Sequence, residues 1–128
     1  MKKACFEKVG TFDEDFKVFG DAEFIVRFGE HFEFAFNPNT RAFLEVQEDS
    51  ISRDKRRRLE ARELLYIKHK DLFARYPRAH AQYADDLGTA LAAVGDAKKA
   101  LPYFKLAVHI RPWRVDFWLR RFLLRSRK

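Results

Sequence analysis

The chain has 128 residues, of which 47% are hydrophobic and 16% aromatic, so it can bury a core and does not have the composition of a disordered polymer. Cys5 is its single cysteine, which excludes an intrachain disulfide and a cysteine-based metal site. The net charge of +7 hides an asymmetry, because residues 1–50 hold 6 Lys/Arg against 11 Asp/Glu, whereas residues 51–128 hold 20 against 8. The basic part suits an anionic partner, and charge alone does not choose among nucleic acid, anionic lipid and an acidic protein surface.

The first residues show no targeting segment. They become acidic at Glu7 before any apolar run develops, and no stretch of 18 consecutive apolar residues occurs in the chain. We therefore expect neither a signal peptide nor a membrane span, and we expect a cytoplasmic protein, either free or in peripheral contact with a membrane. Residues 1–11 indicate a short helix or turn that is closed by Gly10.

The most informative stretch, residues 9–27, is dense in carboxylates and phenylalanines. Asp13-Glu14-Asp15 satisfies the Asp-x-Asp pattern with which many glycosyltransferases hold a metal ion. That motif should follow a strand deep in an α/β domain, and the sequence predicts no strand before residue 13. We therefore assign no metal ligand in this chain.

Residues 21–29, which overlap the end of this stretch, are predicted to be helical, with Asp21 at or near the N-cap. Glu23 and Arg27 are four residues apart, so their side chains would meet on one face of this helix. Arg27 would pair with Glu23 or with Asp21, and we expect a structural role for Arg27 and Glu23. The residues alone make Asp21 a helix cap.

Three motifs in this stretch resemble the end of the catalytic domain of family 2 glycosyltransferases, which have the GT-A fold: Phe12-Asp13-Glu14-x-Phe16, Gly20-Asp21-x-Glu23-Phe24, and the arginine four residues after Glu23. The resemblance implies that Asp21 is the general base that acts on an acceptor hydroxyl. It implies acceptor-side or supporting roles for Asp13, Glu14, Glu23 and Arg27. A single displacement of this kind inverts the configuration at the anomeric carbon.

Residues 32–46 alternate weakly and predict a pair of strands, or a strand and an extended segment, around a turn at Asn37-Pro38-Asn39. The related enzymes carry a similar strand that leads into a segment Arg-x-His-x-x-Ser, and here the segment contains Gln47 and neither the arginine nor the histidine. The resemblance makes Gln47 a candidate contact of the donor diphosphate. It also implies that a nucleotide-sugar donor and a divalent metal, Mg or Mn, are bound by a part of the full-length enzyme that this chain lacks.

A basic helical segment follows. From Arg56 to Tyr76 there is neither Gly nor Pro, and Pro77 ends the run, which predicts one long amphipathic helix. The basic run from Arg53 to Arg58 could bind phosphates. We expect it to face an acidic protein surface, with no specific nucleic acid, because the aromatic platform of single-strand binders is missing.

From Ala81 the chain resembles a 34-residue tetratricopeptide repeat. The agreeing positions are Leu87-Gly88, Gly95-Asp96, Ala100, Phe104, Ala107 and Pro112. Residues 83–94 and 97–110 should form an antiparallel pair, and Val115 to Lys128 would begin a next repeat. This basic amphipathic end either caps the repeat or lies on a membrane surface, and we favour the cap.

These patterns predict an α+β fold. Residues 1–52 would be the C-terminal fragment of a GT-A glycosyltransferase domain, with short strands and helices. A long helix and linker would follow over 53–80, and an all-helical repeat over 81–128. The predicted function is inverting sugar transfer, as in polysaccharide biosynthesis, from a nucleotide-sugar to a saccharide or other hydroxyl acceptor. This chain alone would be inactive. The alternative is a non-catalytic repeat module that binds a protein or an anionic polymer.

Overall fold

A computed structural model of the chain describes residues 3–35, 37–40 and 54–125, and the chain divides into two compact units, Met1–Ala61 and Arg62–Lys128. The helices of the described ranges are α1 (Lys3–Val9), α2 (Gly20–Gly29), α3 (Lys55–Lys68), α4 (Lys70–Arg75), α5 (Pro77–Ala93), α6 (Ala97–Ile110) and α7 (Val115–Arg125). Within those ranges, no helix is long and apolar enough to cross a bilayer.

The predicted α+β fold is wrong, because the described residues form helices and no strand. The chain leaves α2 in a turn, in which the amides of His31 and Phe32 both donate to the Phe28 carbonyl oxygen at 3.1 and 3.0 Å. The rings of Phe32 and Phe34 then lie 4.7 and 5.4 Å from that of Phe28. Their alternation thus reflects two rings that pack on one helical residue. Phe36 and the second predicted strand, at 42–46, lie outside the described residues.

Phenylalanines form the core of the first unit. Phe16, Phe24 and Phe28 are buried. The ring of Phe24 lies 5.3 Å from that of Phe6 on α1 and 5.0 Å from that of Phe12 in the connecting loop. Burial of each such ring contributes about 1.5–3 kcal/mol. The aromatic contacts therefore fix α1 and the 10–19 loop against α2.

The predicted long helix of residues 56–76 is interrupted. α3 starts after Asp54, whose carboxylate accepts hydrogen bonds from the amides of Arg56 (2.9 Å) and Arg57 (3.2 Å). It stops at Lys68. His69 has φ −108° and ψ 24°, outside the helical range, and its carbonyl accepts the amide of Phe73 to begin α4. No Gly or Pro marks this break, so the helical periodicity of the sequence does not predict it.

The second unit is built on the hairpin of α5 and α6. Gly95 turns the chain with φ 88°, a left-handed conformation that glycine adopts without strain. The Asp96 carboxylate then caps α6 by accepting the amide of Lys99 at 3.1 Å. Gly88 lets the helices approach, because a Cβ there would lie only 3.0 Å from the Phe104 ring. The predicted pairing of residues 83–94 with 97–110 is present.

α7 completes this unit. Its Phe117 is fully buried, in a cluster with Ala81 and Ala84 of α5 and Ala107 and Val108 of α6. The small side chains of this cluster leave room for the Phe117 ring between the two helices of the hairpin. α7 is therefore packed against both α5 and α6.

Candidate functional site

The carboxylate-rich stretch of the first unit is organised by Arg27. Its Nε and Nη2 donate to the two carboxylate oxygens of Glu23 at 2.7 and 2.9 Å, which makes a bidentate ion pair one helical turn apart. Its Nη1 also donates to the carbonyl oxygen of Val9 at 2.5 Å, and Nη2 to that of Thr11 at 2.7 Å. One guanidinium thus joins α2 to the end of α1 and to the loop that follows. Of the two partners expected for Arg27, the structure has Glu23.

The Glu23 side of the ion pair is held away from water. Glu23 is 1% exposed, and a lone charge at that depth would be costly. The hydrogen bonds that Arg27 donates to Glu23, reinforced by the negative charge of that carboxylate, raise the pKa of Arg27. Both side chains are thus satisfied by hydrogen bonds, and the pair fixes the loop rather than offering a reactive group to solvent.

The backbone of the loop is shaped for this contact. Gly10 has φ 86°, which side chains rarely adopt, and a Cβ there would lie 3.6 Å from Nη1 of Arg27. Its amide closes α1 by donating to the Phe6 carbonyl oxygen at 2.8 Å. Gly10 therefore reverses the chain so that the carbonyl groups of Val9 and Thr11 both face the arginine.

Asp21, the predicted general base, lies in the first turn of α2, and its side chain is exposed. α2 starts at Gly20 with Phe19 as its N-cap residue, so Asp21 is not itself the cap. In the described part of the chain, its Oδ1 accepts the adjacent amide of Ala22 at 2.9 Å. Asp21 is thus an accessible carboxylate on the same helix that Arg27 anchors.

The backbone just before Asp21 is strained. Phe19 has φ 67° and ψ 14°, the left-handed region, which is uncommon for an aromatic residue and costs about 1–2 kcal/mol. Its carbonyl oxygen accepts the amide of Glu23 at 3.0 Å, which begins the helix. The guanidinium of Arg58 lies over the Phe19 ring at 5.7 Å. These contacts hold Phe19 in a conformation that sets the direction of α2.

The remaining predicted site residues are divided. Asp13 lies within electrostatic reach of Arg27 and contributes to its raised pKa, and Asp13 also orders the loop by accepting the amide of Asp15 at 3.0 Å. Glu14 is exposed on the same loop. Gln47 falls outside the described residues. The structure thus brings Asp13, Glu23 and Arg27 together and leaves Asp21 and Glu14 open to solvent.

The divalent metal implied by the resemblance does not fit these residues. Both oxygens of Glu23 are taken by Arg27, and Oδ1 of Asp13 holds an amide. Across the ranges that the structure describes, no group of three His, Cys, Asp or Glu side chains could hold a metal ion. These residues therefore supply no metal site, and the chemistry they can perform is that of a carboxylate and a fixed loop.

A second polar centre, which the sequence analysis missed, lies in the other unit. Asp85 of α5 is fully buried and forms an ion pair with Arg120 of α7, and the same guanidinium lies 3.3 Å from Oγ1 of Thr89. The signal was an aspartate within the apolar face of a predicted helix, with an arginine 35 residues later, close to the 34-residue repeat length.

A third centre surrounds Tyr66 of α3. Its hydroxyl lies 2.8 Å from Nε2 of His80, and its ring stacks on that of Tyr83 at 6.2 Å. The Tyr83 hydroxyl donates to the Arg62 carbonyl oxygen at 3.1 Å. Burial raises the pKa of Tyr83 to about 12 and lowers the pKa of His80. The contacts join α3 to α5, so this centre is structural.

Among known proteins, no family model, no curated sequence and no solved structure matches this chain.

Proposed function

We propose that this chain is the acceptor-side part of an enzyme that transfers a sugar from a nucleotide-sugar to a hydroxyl group, with Asp21 as its general base. One observation carries the proposal: the Asp21 carboxylate is exposed in the first turn of α2, whereas Glu23, two residues later, is buried and neutralised by Arg27. Of these two carboxylates on one helix, only Asp21 is accessible to a substrate.

The strained Phe19 supports the same proposal. Unusual backbone conformations concentrate at functional sites, where the surrounding structure holds them in place. Phe19 lies two residues before Asp21 and is fixed by its helical hydrogen bond to Glu23. The Arg27 contacts to Val9 and Thr11 then keep the loop and the helix together. Asp21 is thereby presented on a fixed element, as a general base requires.

In the proposed reaction the oxygen of the acceptor hydroxyl attacks the anomeric carbon of the donor sugar. The bond from that carbon to the diphosphate breaks as the new bond forms, which inverts the configuration. The hydroxyl proton passes to the Asp21 carboxylate. The nucleotide-sugar and its Mg or Mn ion are held by other residues of the enzyme, in the cytoplasm, so this chain alone has no turnover.

Turnover by an enzyme that contains this chain tests the proposal. Asp21→Asn removes the base and should lower turnover by about two to four orders of magnitude, with little change in the affinity for the donor. Glu33→Gln, at another exposed carboxylate, is the matched control and should turn over normally. Near-normal turnover in Asp21→Asn would refute the assignment.

A binding measurement tests the acceptor side on the chain itself. The amide of Ala22 donates to Asp21, so its NMR signal reports on that carboxylate. We expect saccharide acceptors to shift the Ala22 signal in the wild type and not in Asp21→Asn. Nucleotide-sugars alone should leave it unchanged. A shift that Asp21→Asn preserves would contradict acceptor binding at this carboxylate.

A second candidate function is a non-catalytic helical module that binds a protein or an anionic polymer through the second unit. The observation that favours it is the close packing of α5, α6 and α7, in which the Phe104 ring rests on Gly88 and Phe117 is fully buried. This candidate requires no chemistry at Asp21. It therefore predicts that Asp21→Asn is neutral in every assay, which separates it from sugar transfer.

A further inference from the structure

α7 has a second apolar face, on the side away from its buried Phe117. Val115, Trp118, Leu119 and Phe122 are 68%, 47%, 56% and 68% exposed. Their spacing of i, i+3, i+4 and i+7 brings them to one side of the helix. We call these four residues the outer stripe. Because Phe117 already anchors α7 to α5 and α6, the outer stripe is not needed for the packing of this unit.

Two tryptophans, the only ones in the chain, belong to this surface. Trp113 precedes α7 in the turn after α6 and is 67% exposed. The indole of Trp118 donates to the Pro112 carbonyl oxygen at 2.8 Å, which holds the ring along that turn. The guanidinium groups of Arg111 and Arg121 lie over the two rings, at 5.7 and 5.5 Å from the centroids of Trp113 and Trp118. Aromatic rings and cations are thus interleaved on one face.

The charge around the outer stripe has one sign. Residues 111–128 contain six arginines and one lysine against a single acid, Asp116. That acid is neutralised by Arg114, which donates to its two oxygens at 2.8 and 2.6 Å. Arg114 lies next to the core, with its guanidinium 4.9 Å from the Phe117 ring centroid. Arg120 is likewise paired with Asp85, whereas Arg111 and Arg121 lie against the tryptophan rings. The surface around the stripe therefore combines exposed apolar rings with the positive charge of these two arginines.

These features decide between the two roles that the sequence left open for this segment. A helix that caps a repeat needs a polar outer face, and the outer face of α7 is apolar. A second copy of the chain on the same face would bring arginines against arginines. An anionic bilayer meets both requirements, because its interface takes up Trp, Leu and Phe side chains while lipid phosphates pair with arginines.

We propose that the outer stripe of α7, together with Trp113, docks on the surface of an anionic lipid bilayer. The helix lies flat in the interface, with Leu119 and Phe122 directed into the headgroup region and Arg121 bound to phosphate. Phe117 and the Asp85–Arg120 ion pair keep α7 on the hairpin while it docks. The proposal stands on α7 alone and does not depend on the assignment of Asp21.

Tryptophan fluorescence of the full chain tests the proposal, since both tryptophans lie in the proposed surface. The probes are vesicles of phosphatidylcholine with and without phosphatidylglycerol. We expect a blue shift of the emission with the anionic vesicles, little change with the neutral ones, and weaker binding as salt increases. No shift with anionic vesicles, or an equal shift with neutral ones, would overturn the proposal.

Variants that keep both tryptophans sharpen the test. Leu119→Ser with Phe122→Ser should weaken vesicle binding by about tenfold or more, because it removes the apolar contact. Arg121→Glu should weaken vesicle binding because it replaces a cation that binds lipid phosphate with an anion. Ile67→Ser is the matched control, because Ile67 on α3 is 67% exposed and lies outside the stripe. Circular dichroism verifies that each variant is helical.

Three other outcomes would also overturn the proposal. The first is vesicle binding that the Leu119 and Phe122 changes leave intact. The second is an RNA oligonucleotide that shifts the tryptophan emission while anionic vesicles do not. The third is a stable dimer, detected by sedimentation, whose emission is already blue-shifted without lipid, because the stripe would then be covered by a second copy.

Discussion

Arg120 of α7 forms an ion pair with Asp85 of α5, and the aspartate is completely buried while the arginine side chain is 43% exposed. In the described part of the chain, the Asp85 oxygen Oδ1 is buried without a hydrogen-bond partner. Burial raises the pKa of Asp85 to about 6, and Arg120 partly offsets that rise. A buried carboxylate that is only half satisfied depends heavily on the cation that pairs with it.

Loss of this cation should destabilise the second unit. In Arg120→Met the aliphatic stem is kept and the charge is removed, which leaves Asp85 buried and unpaired. We expect the free energy of unfolding to fall by about 2–4 kcal/mol, near the range for a broken buried pair, with some reduction because Arg120 is partly exposed. Thermal or urea unfolding measures the loss.

A double-mutant cycle provides the control. Asp85→Asn removes the charge that needs Arg120, so Arg120→Met should cost much less in that background. Equal costs of Arg120→Met in the presence and absence of the Asp85 charge would show that the two side chains do not interact.

The same carboxylate should make stability depend on pH. Because the pKa of Asp85 is raised in the folded state, from 3.8 to about 6, the folded chain binds this proton more tightly than the unfolded chain. The contribution of Asp85 to stability is therefore full below about pH 4 and is lost as the pH rises through about 6, by about 2–3 kcal/mol. The difference in unfolding free energy between wild type and Asp85→Asn, followed from pH 4 to pH 8, isolates this effect.

His80 should change the stability in the opposite direction as the pH rises within the same window. Burial lowers the pKa of His80 below its usual 6.5, so the stability that comes from its neutral form is present above about pH 6.5 and is lost on acidification. We expect His80→Gln to remove this loss and to leave the effect of Asp85 in place. If the difference in unfolding free energy between wild type and Asp85→Asn did not change between pH 4 and pH 8, that result would contradict the raised pKa of Asp85.

Gly88→Ala tests the close approach of α5 and α6. The added Cβ would lie 3.0–3.2 Å from three atoms of the Phe104 ring, so the ring or a helix must move. Overpacking of this kind costs about 1–3 kcal/mol, against a gain of about 1 kcal/mol from helix propensity. We expect a net loss of stability in chemical unfolding. Phe104→Leu in the same chain should recover part of it, and no recovery would show that the clash is elsewhere.

Some of this architecture could be predicted because it is local. The spacing of Glu23 and Arg27 predicts their contact, since side chains four residues apart meet on a helix. Gly88 and Gly95 similarly predict the close approach and the turn of the α5–α6 hairpin. The Arg27 bonds to Val9 and Thr11 span 18 and 16 residues and depend on how the loop reverses, which no local pattern encodes.

The wrong predictions also have physical reasons. Alternating phenylalanines at 32 and 34 suit a strand, but both rings here pack on Phe28, four and six residues earlier in the chain. The break at His69 comes without a helix-breaking residue, so the periodicity of the segment continues through it. Asp85 lies on a helix face that is otherwise apolar, which predicts core packing there, and the identity of its distant partner requires the tertiary fold.

The Arg27 contacts predict a different result for two changes in the first unit. Arg27→Met leaves the buried Glu23 carboxylate unpaired and removes the hydrogen-bond donors to two carbonyl oxygens. It should therefore lower the free energy of unfolding by about 3 kcal/mol or more. Glu23→Gln keeps a hydrogen-bond acceptor for the guanidinium and should cost less. Unfolding followed by hydrogen exchange at Gly10 and Thr11 measures both. An equal cost for the two changes would mean that the carbonyl contacts contribute nothing.

The short turn between α5 and α6 has a consequence for the order in which the second unit forms. Only Val94, Gly95 and Asp96 separate the two helices, so little chain entropy is lost when they meet, whereas the pairing of Asp85 with Arg120 closes 35 residues. The hairpin should therefore assemble early and α7 should join it late. In folding kinetics, Gly88→Ala should slow folding, whereas Arg120→Met should act mainly by accelerating unfolding. α7 is thus the part of this unit that separates from the α5–α6 hairpin first when stability is lost.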